Sequence, residues 1–239
     1  AFGSDNWLNR LVKKLYRVGL GGASKVFFQN DDDRRLFIEE KIVRPEVTAL
    51  VPGSGIDLAR FSAPAMPHRS GNGFTFLLVA RLLWDKGIAE YVEAARLVRS
   101  RMPDVRFQIL GFLDVESRGV VPRDTMNAWI AEGIVEYLGV TDDVRLPLSG
   151  ADCVVLPSYY REGTPRSLLE AAAMSRPIIT TDWVGCRNVV DDGVNGYLCR
   201  PRDAADLAAK MLAMAGLEDQ SRIAMGRAGR AKMEREFDE

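Results

Sequence analysis

From residue 74 to residue 215, short apolar runs alternate with longer stretches patterned for helices, and that alternation narrows the fold more than any other feature of the chain. Strand-like segments fall at 74–80, 106–110, 135–138, 153–156, 178–180 and 197–199. Helix-like segments fall at 88–101, 123–132, near 143–149, at 165–174, for one turn after Gly185, and at 204–215. Runs such as CVVL show no polar alternation, which is the pattern of strands covered on both faces. The expectation is an α/β domain on a doubly wound, Rossmann-like parallel sheet, complete over residues 74–215.

Ahead of that domain, Trp7, Leu8, Leu11, Leu15 and Val18 stand at helical spacing, with Arg10, Lys13, Lys14 and Arg17 on other faces, which reads as a solvated basic surface. Strand-like segments at 25–29 and 47–51 flank a helix whose start is marked by Asn30 and Asp31, Asp32 and Asp33. Residues 1–61 therefore read as the end of a further α/β unit, and SAPAMPHRSGNG at 62–73 as a linker. Residues 216–239 read as a C-terminal helical segment. The chain begins at Ala1 in one helical pattern and stops at Glu239 in another, so a fragment is expected.

Composition removes several classes. Thirty-two basic residues against 33 acidic ones give a formal charge of −1, which argues against a general nucleic-acid binder. With one histidine, His68, a His-based triad or His-rich metal site is excluded within these residues. Asp142 and Asp143, like the earlier aspartates, stand where a helix begins rather than as metal ligands. Cys153, Cys186 and Cys199 cannot all pair within the chain and lack metal-site spacing, which fits a reducing, cytoplasmic compartment. No apolar run approaches the roughly 18–20 residues that span a bilayer, and no signal-peptide pattern is present.

In an open parallel sheet the ligand crevice lies at the carboxyl ends of the strands, and two segments there carry chemistry. The first is ARLLWDKG at 80–87, between a strand and a helix. Arg81 offers a planar fork to a phosphate and Lys86 a point charge, while Gly87 lets the backbone turn into a helix whose free N–H groups attract anions. The plain alternative is a pair of surface cations matched with Asp85 or Glu90. The second segment is SYYREGTPRSLLEAAA at 158–173. Thr164 suits an N-cap and Pro165 the first helical position, and Gly163 leaves room for a ligand near backbone amides. Glu170 lies in an otherwise apolar helix, where a carboxylate must find donors or neutralise; sugar hydroxyls serve, and so does a neighbouring arginine.

Glu162 and Glu170 are separated by seven residues, and EGTPRSLLEAAA resembles the EX7E motif of retaining GT-B glycosyltransferases of the group 1 type, family GT4. ARLLWDKG is similar to that family's basic diphosphate-binding segment, and ADCVVLPSYYREG, RPIITTD, VGCRNVV and DDGVNGYL follow in the family's order, so the resemblance runs from about residue 25 to 235. It implies that Arg81, Lys86 and Gly87 meet the donor diphosphate and that Glu170 takes the ribose hydroxyls. Glu162 would face the transferred sugar, with Gly163, Thr164, Pro165, Arg166 and Ser167 near its hydroxyls and the phosphate. Leu138, Gly139 and Val140 would line the base pocket, and the Pro52 to Gly55 turn would lie by an interdomain cleft. The sequence departs from the family pattern at Ser175, where glycine is common, and at Asn188, where an acidic residue is common.

The activity so implied is transfer of a sugar, with retention, from a nucleotide-diphosphate sugar, UDP-linked, to a glycan or undecaprenyl-linked acceptor in bacterial surface polysaccharide assembly. The nucleotide-sugar is a co-substrate; no cofactor and no metal are expected. Such an enzyme would be cytoplasmic, with peripheral contact at the inner membrane, and the fragment alone would be inactive. The alternatives are a non-catalytic nucleotide-binding module and a sugar-nucleotide epimerase of the same fold. An epimerase wants acid–base side chains for proton abstraction, and none stands out in the sequence.

Overall fold

The computed structural model describes residues 7–51, 53, 55–62, 73–113 and 119–238, which form two compact units, Ala1–Ser54 and Gly55–Glu239. The linker expected at 62–73 lies almost wholly outside the described residues, as do His68, Pro52 and Ser54. The first unit contains helix α1 (Trp7–Leu20), strand β1 (Val26–Phe28), helix α2 (Asp31–Glu39) and strand β2 (Thr48–Leu50), with β1 and β2 paired in parallel. Asn30 caps α2, its Oδ1 accepting the N–H of Asp33 at 2.7 Å. The basic face of α1 is not simply solvated: Lys13 Nζ pairs with Glu40 at 2.7 Å, and Arg17 donates to the carbonyls of Glu40 and Lys41. The stripe through Trp7, Leu8, Leu11, Leu15 and Val18 is the exposed one; the apolar contacts of α1 are made instead by Tyr16, edge-on to Phe37, and by Leu20.

The second unit holds strands β3 (Thr75–Val79), β4 (Arg106–Leu110), β5 (Glu136–Tyr137), β6 (Cys153–Leu156), β7 (Ile178–Thr181) and β8 (Gly196–Cys199). They form one parallel sheet in the order β5-β4-β3-β6-β7-β8, the doubly wound arrangement expected from the sequence. Helices α3 (Ile88–Arg99), α4 (Arg123–Ala131) and α7 (Ala204–Ala215) cover one apolar core, with Phe76, Leu78, Tyr91 and Phe107 fully buried. Helices α5 (Arg145–Gly150), α6 (Arg166–Ala173) and α8 (Asp219–Glu236) lie over a second, with Leu77, Val154, Leu168 and Leu169 fully buried. Each such side chain contributes about 1.5–3 kcal/mol on leaving water.

The unit boundary differs from the expected 61/62. Ile56, Leu58 and Phe61 are buried in the second core, and their apolar side chains draw that stretch into the second unit. The segment 216–239 is likewise part of this unit, since α8 packs on α6. Arg230 on α8 donates to the carbonyls of Phe61 (2.7 Å), Ala173 (2.9 Å) and Leu58 (3.3 Å), and Ile56 N–H donates to the carbonyl of Phe237 at 2.9 Å. One guanidinium thus joins the entry segment, α6 and the last helix.

Candidate functional site

The sheet order reverses direction between β3 and β6, and a cleft of about 630 Å3 opens at the carboxyl ends of the strands around that point. The segment after β3 supplies Arg81 and Lys86, that after β6 Glu162, and α6 Pro165, Arg166, Ser167 and Glu170. Val140, beyond β5, lines it too. The fold therefore brings eight of the residues singled out above to one cleft.

Lys86 ends a 3-10 turn (Trp84–Lys86) and points back across the sheet to Glu162, Nζ to Oε2 2.5 Å. Their side chains are only 9% and 16% exposed, so this is an ion pair largely withdrawn from water. The Lys86 ammonium also stands over the Tyr160 ring, 5.4 Å from its centre. The approach depends on Gly87, which has φ +76° and sits where a Cβ would meet the Pro157 carbonyl oxygen at 2.2 Å. Gly87 does not line the cleft; its lack of a side chain lets the β3 loop close onto the β6 loop. The second oxygen of Glu162, Oε1, accepts from the Ser158 hydroxyl at 2.9 Å.

Glu170, one turn into α6, accepts from Arg166 Nε at 3.1 Å. Burial pushes the Glu170 carboxyl above the usual carboxylate range, opposed by the hydrogen bond from Arg166 and by the charges of Arg166 and Arg60. The start of α6 differs by one position from expectation. Pro165 has extended backbone (ψ 121°) and is itself the N-cap, so α6 begins at Arg166. Thr164 makes no capping bond; its hydroxyl oxygen is buried with no partner among the described residues. Thr164 and Gly163 do not line the cleft. The Gly163 carbonyl instead meets Gly185, where any Cβ would lie 1.7 Å away.

Leu138 and Gly139 are also off the cleft wall, held by bonds to the end of β4: Leu138 N–H donates to the Ile109 carbonyl and Gly111 N–H to the Gly139 carbonyl, both at 2.8 Å. Sequence reasoning missed Arg60, Phe61, Gly111, Phe112, the 141–144 turn and Ser158. Position at the carboxyl end of β4 was the available signal for Gly111 and for Phe112, an aromatic side chain left 62% exposed at the cleft. Arg145 binds Asp143 through both carboxylate oxygens (2.7 and 2.6 Å) and donates to the Arg60 carbonyl at 3.2 Å, tying two walls together. That hydrogen bonding holds the Asp143 carboxyl at about 2. Asp142 lines the cleft beside it, yet no cluster of three or more metal-ligating side chains occurs among the described residues.

Electrostatically the cleft mixes cations (Arg60, Arg81, Lys86, Arg166) with carboxylates (Asp142, Asp143, Glu162, Glu170), inside walls of Val79, Leu110, Leu156 and Phe112. Such a site suits a ligand with an anionic middle and hydroxyl groups on either side. No helix among the described residues is long and apolar enough to cross a membrane.

Comparison with known proteins gives a consistent result. Residues 73–216 match the profile of the family described as Glycosyl transferases group 1. The chain is 26% identical over 225 residues to the N,N'-diacetylbacillosaminyl-diphospho-undecaprenol alpha-1,3-N-acetylgalactosaminyltransferase of Campylobacter jejuni subsp. jejuni, covering 90% of this chain and 57% of that protein. It is 30% identical over 175 residues to the amylovoran biosynthesis glycosyltransferase AmsK of Erwinia amylovora, covering 68% and 41%. The chain thus spans about half the length of these curated relatives. Among solved structures, sucrose-phosphate synthase from Thermosynechococcus elongatus superposes with a TM-score of 0.81 at 20% identity, over 99% of this chain and 61% of the other. Anabaena HepE in complex with UDP and glucose superposes with a TM-score of 0.77 at 21% identity, over 95% and 63%. Both are likenesses of fold.

Proposed function

The chain belongs to the group 1 glycosyl transferases, and from that premise we propose that it carries the donor site of an enzyme moving a sugar from a UDP-sugar to a glycan or undecaprenyl-linked acceptor, with retention of configuration. The observation that carries the reading is the cleft at the sheet's switch point, where Lys86 meets Glu162 at 2.5 Å with Arg81 and Glu170 on the same walls. Lys86 and Arg81 hold the diphosphate, and Glu170 accepts the ribose hydroxyls. Val140, which lines the cleft where Leu138 and Gly139 do not, stands at the base, and Glu162 faces the sugar. Arg166 and Ser167, which line the cleft, lie towards the phosphate and the sugar hydroxyls.

Donor binding exchanges one neutralised pair for another: the diphosphate takes the charge of Lys86, and Glu162 is left to accept from sugar hydroxyls. Transfer then proceeds on one face of the sugar, the leaving phosphate drawing the proton from the acceptor hydroxyl. No metal ion is assigned a part. Support for the acceptor comes from the Campylobacter relative, whose name specifies an undecaprenol-linked diphospho-sugar, and support for UDP from the bound nucleotide in the HepE structure. Residues 1–54 belong, in this reading, to an acceptor-binding α/β unit; a two-stranded parallel sheet with an exposed apolar helix face supports a larger sheet around it. The place of action is bacterial surface polysaccharide assembly at the cytoplasmic face of the membrane.

Calorimetric titration with UDP, GDP and ADP tests the donor site. Saturable binding of UDP, weakened in Arg81→Ala and lost in Lys86→Ala, is the expected result. A folded chain that binds none of the three overturns the reading.

A further inference from the structure

Ser158 belongs to none of the charged groups of the cleft, yet its hydroxyl stands where the β3 and β6 loops meet. The residue is fully buried, and the strand end it occupies is pinned to β7: Thr180 Oγ1 donates to the Leu156 carbonyl at 2.7 Å and Thr181 Oγ1 to the Ser158 carbonyl. Its own Oγ lies 2.9 Å from Glu162 Oε1 and 3.3 Å from the Asp85 carbonyl, and it accepts from Tyr160 N–H at 3.3 Å. A serine hydroxyl has one proton to give, and the nearer, charged acceptor takes it, so the bond runs to the carboxylate. The other oxygen of Glu162 faces Lys86.

We propose that Ser158 is a positioning residue: it fixes Glu162 through Oε1, so that Oε2 is the oxygen presented to the donor sugar once the diphosphate draws on Lys86. The inference rests on the donor reading above. A glutamate side chain has several rotatable bonds, and losing the lysine as a partner would free it to swing. A buried hydroxyl anchored to a strand end removes that freedom without touching the ligand. The bond also links the two loops, because the same Oγ sits beside the Asp85 carbonyl, which accepts from Tyr159 and Tyr160 N–H at 2.9 and 3.1 Å.

The test compares affinities for UDP with those for UDP-glucose, UDP-N-acetylglucosamine and UDP-N-acetylgalactosamine in the wild-type chain, Ser158→Ala, Ser158→Thr, Glu162→Gln and the Ser158→Ala/Glu162→Gln double variant. The readout is each UDP-sugar affinity relative to UDP. Ser158→Ala is expected to leave UDP within about twofold and to weaken at least one UDP-sugar about tenfold, the worth of one hydrogen bond to a charged group. Ser158→Thr restores the ratio, and Ser158→Ala costs less in the Glu162→Gln background, where the oxygen that Ser158 donates to is uncharged. A ratio that Ser158→Ala leaves unchanged, whatever its wild-type value, overturns the proposal, as does an equal loss for UDP and UDP-sugars. If Glu162→Gln alters the ratio and Ser158→Ala does not, the donor reading stands and this inference falls. A wild-type chain that binds no probe takes both down.

Discussion

The two ends of the cleft hold a carboxylate and a cation each, and they are built in opposite ways. At one end Lys86 and Glu162 come from loops after different strands, meet at 2.5 Å, and are 9% and 16% exposed. At the other, Arg166 and Glu170 are one helical turn apart on α6, meet at 3.1 Å, and are 57% and 14% exposed, so that only the carboxylate is withdrawn from water. The first pair exists because the sheet sets β3 beside β6 and because Gly87 lets the loops touch. The second exists because residues four apart on a helix are neighbours. A pair shielded from water on both sides is costly to break, whereas a pair made locally with its arginine in water is cheaper to break and adjusts to a ligand.

The contrast fails most visibly if Gly87→Ala is tolerated. Left-handed strain together with displacement of Pro157 is expected to cost about 3–4 kcal/mol in urea unfolding and to abolish UDP binding. Next in size, Lys86→Met strands Glu162 in a poorly hydrated site and should lose about 3 kcal/mol, most of it recovered when Glu162→Leu is added. A destabilisation below about 1 kcal/mol would place the pair in effective contact with water.

A smaller effect belongs to Glu170. Its native carboxyl is raised by burial, so the folded chain holds the proton more tightly than the unfolded one, and the stability tied to that proton declines as pH rises through the native value. The ionised form suited to ribose is lost as pH falls through the same value. UDP affinity of the wild type is therefore expected to approach that of Glu170→Gln as the pH is lowered through the native value of that carboxyl; the phosphate's own titration is common to both proteins. Parallel curves would separate Glu170 from the ligand. Least of all, Arg166→Met should change stability by no more than about 0.5 kcal/mol in the same unfolding assay.

The same division explains what could be read from the amino-acid order. Strands β3, β4, β6, β7 and β8 and helix α7 are legible because each is an apolar run of the right period between clear breaks. Glu170 with its arginine is legible because helical spacing places it. The partnership of Lys86 with Glu162 is not, since periodicity finds strands without saying which lie side by side; Ser158 escapes for the same reason. Thr164 was misplaced by one position because a proline that starts a helix can equally be its cap. On α1, spacing separates the basic stripe from the apolar one but does not tell which faces its neighbours, and here Lys13 and Arg17 do.

The stretch matched by the family profile, 73–216, is shorter than the body that folds around it. Gly226 of α8 lies where a Cβ would meet the Ser175 carbonyl oxygen at 2.0 Å, and Arg230 ties the Ala173 carbonyl at the end of α6 to those of Leu58 and Phe61, which like Arg230 itself fall outside 73–216. A piece excised at residues 73 and 216 would keep every cleft residue beyond Phe61, yet bare the outer side of the helix that carries Glu170. Amide exchange along α6 should accelerate in such a piece while β3 and β4 remain protected. What the family profile matches as one stretch and what folds as one compact body are, in this molecule, stretches of different length.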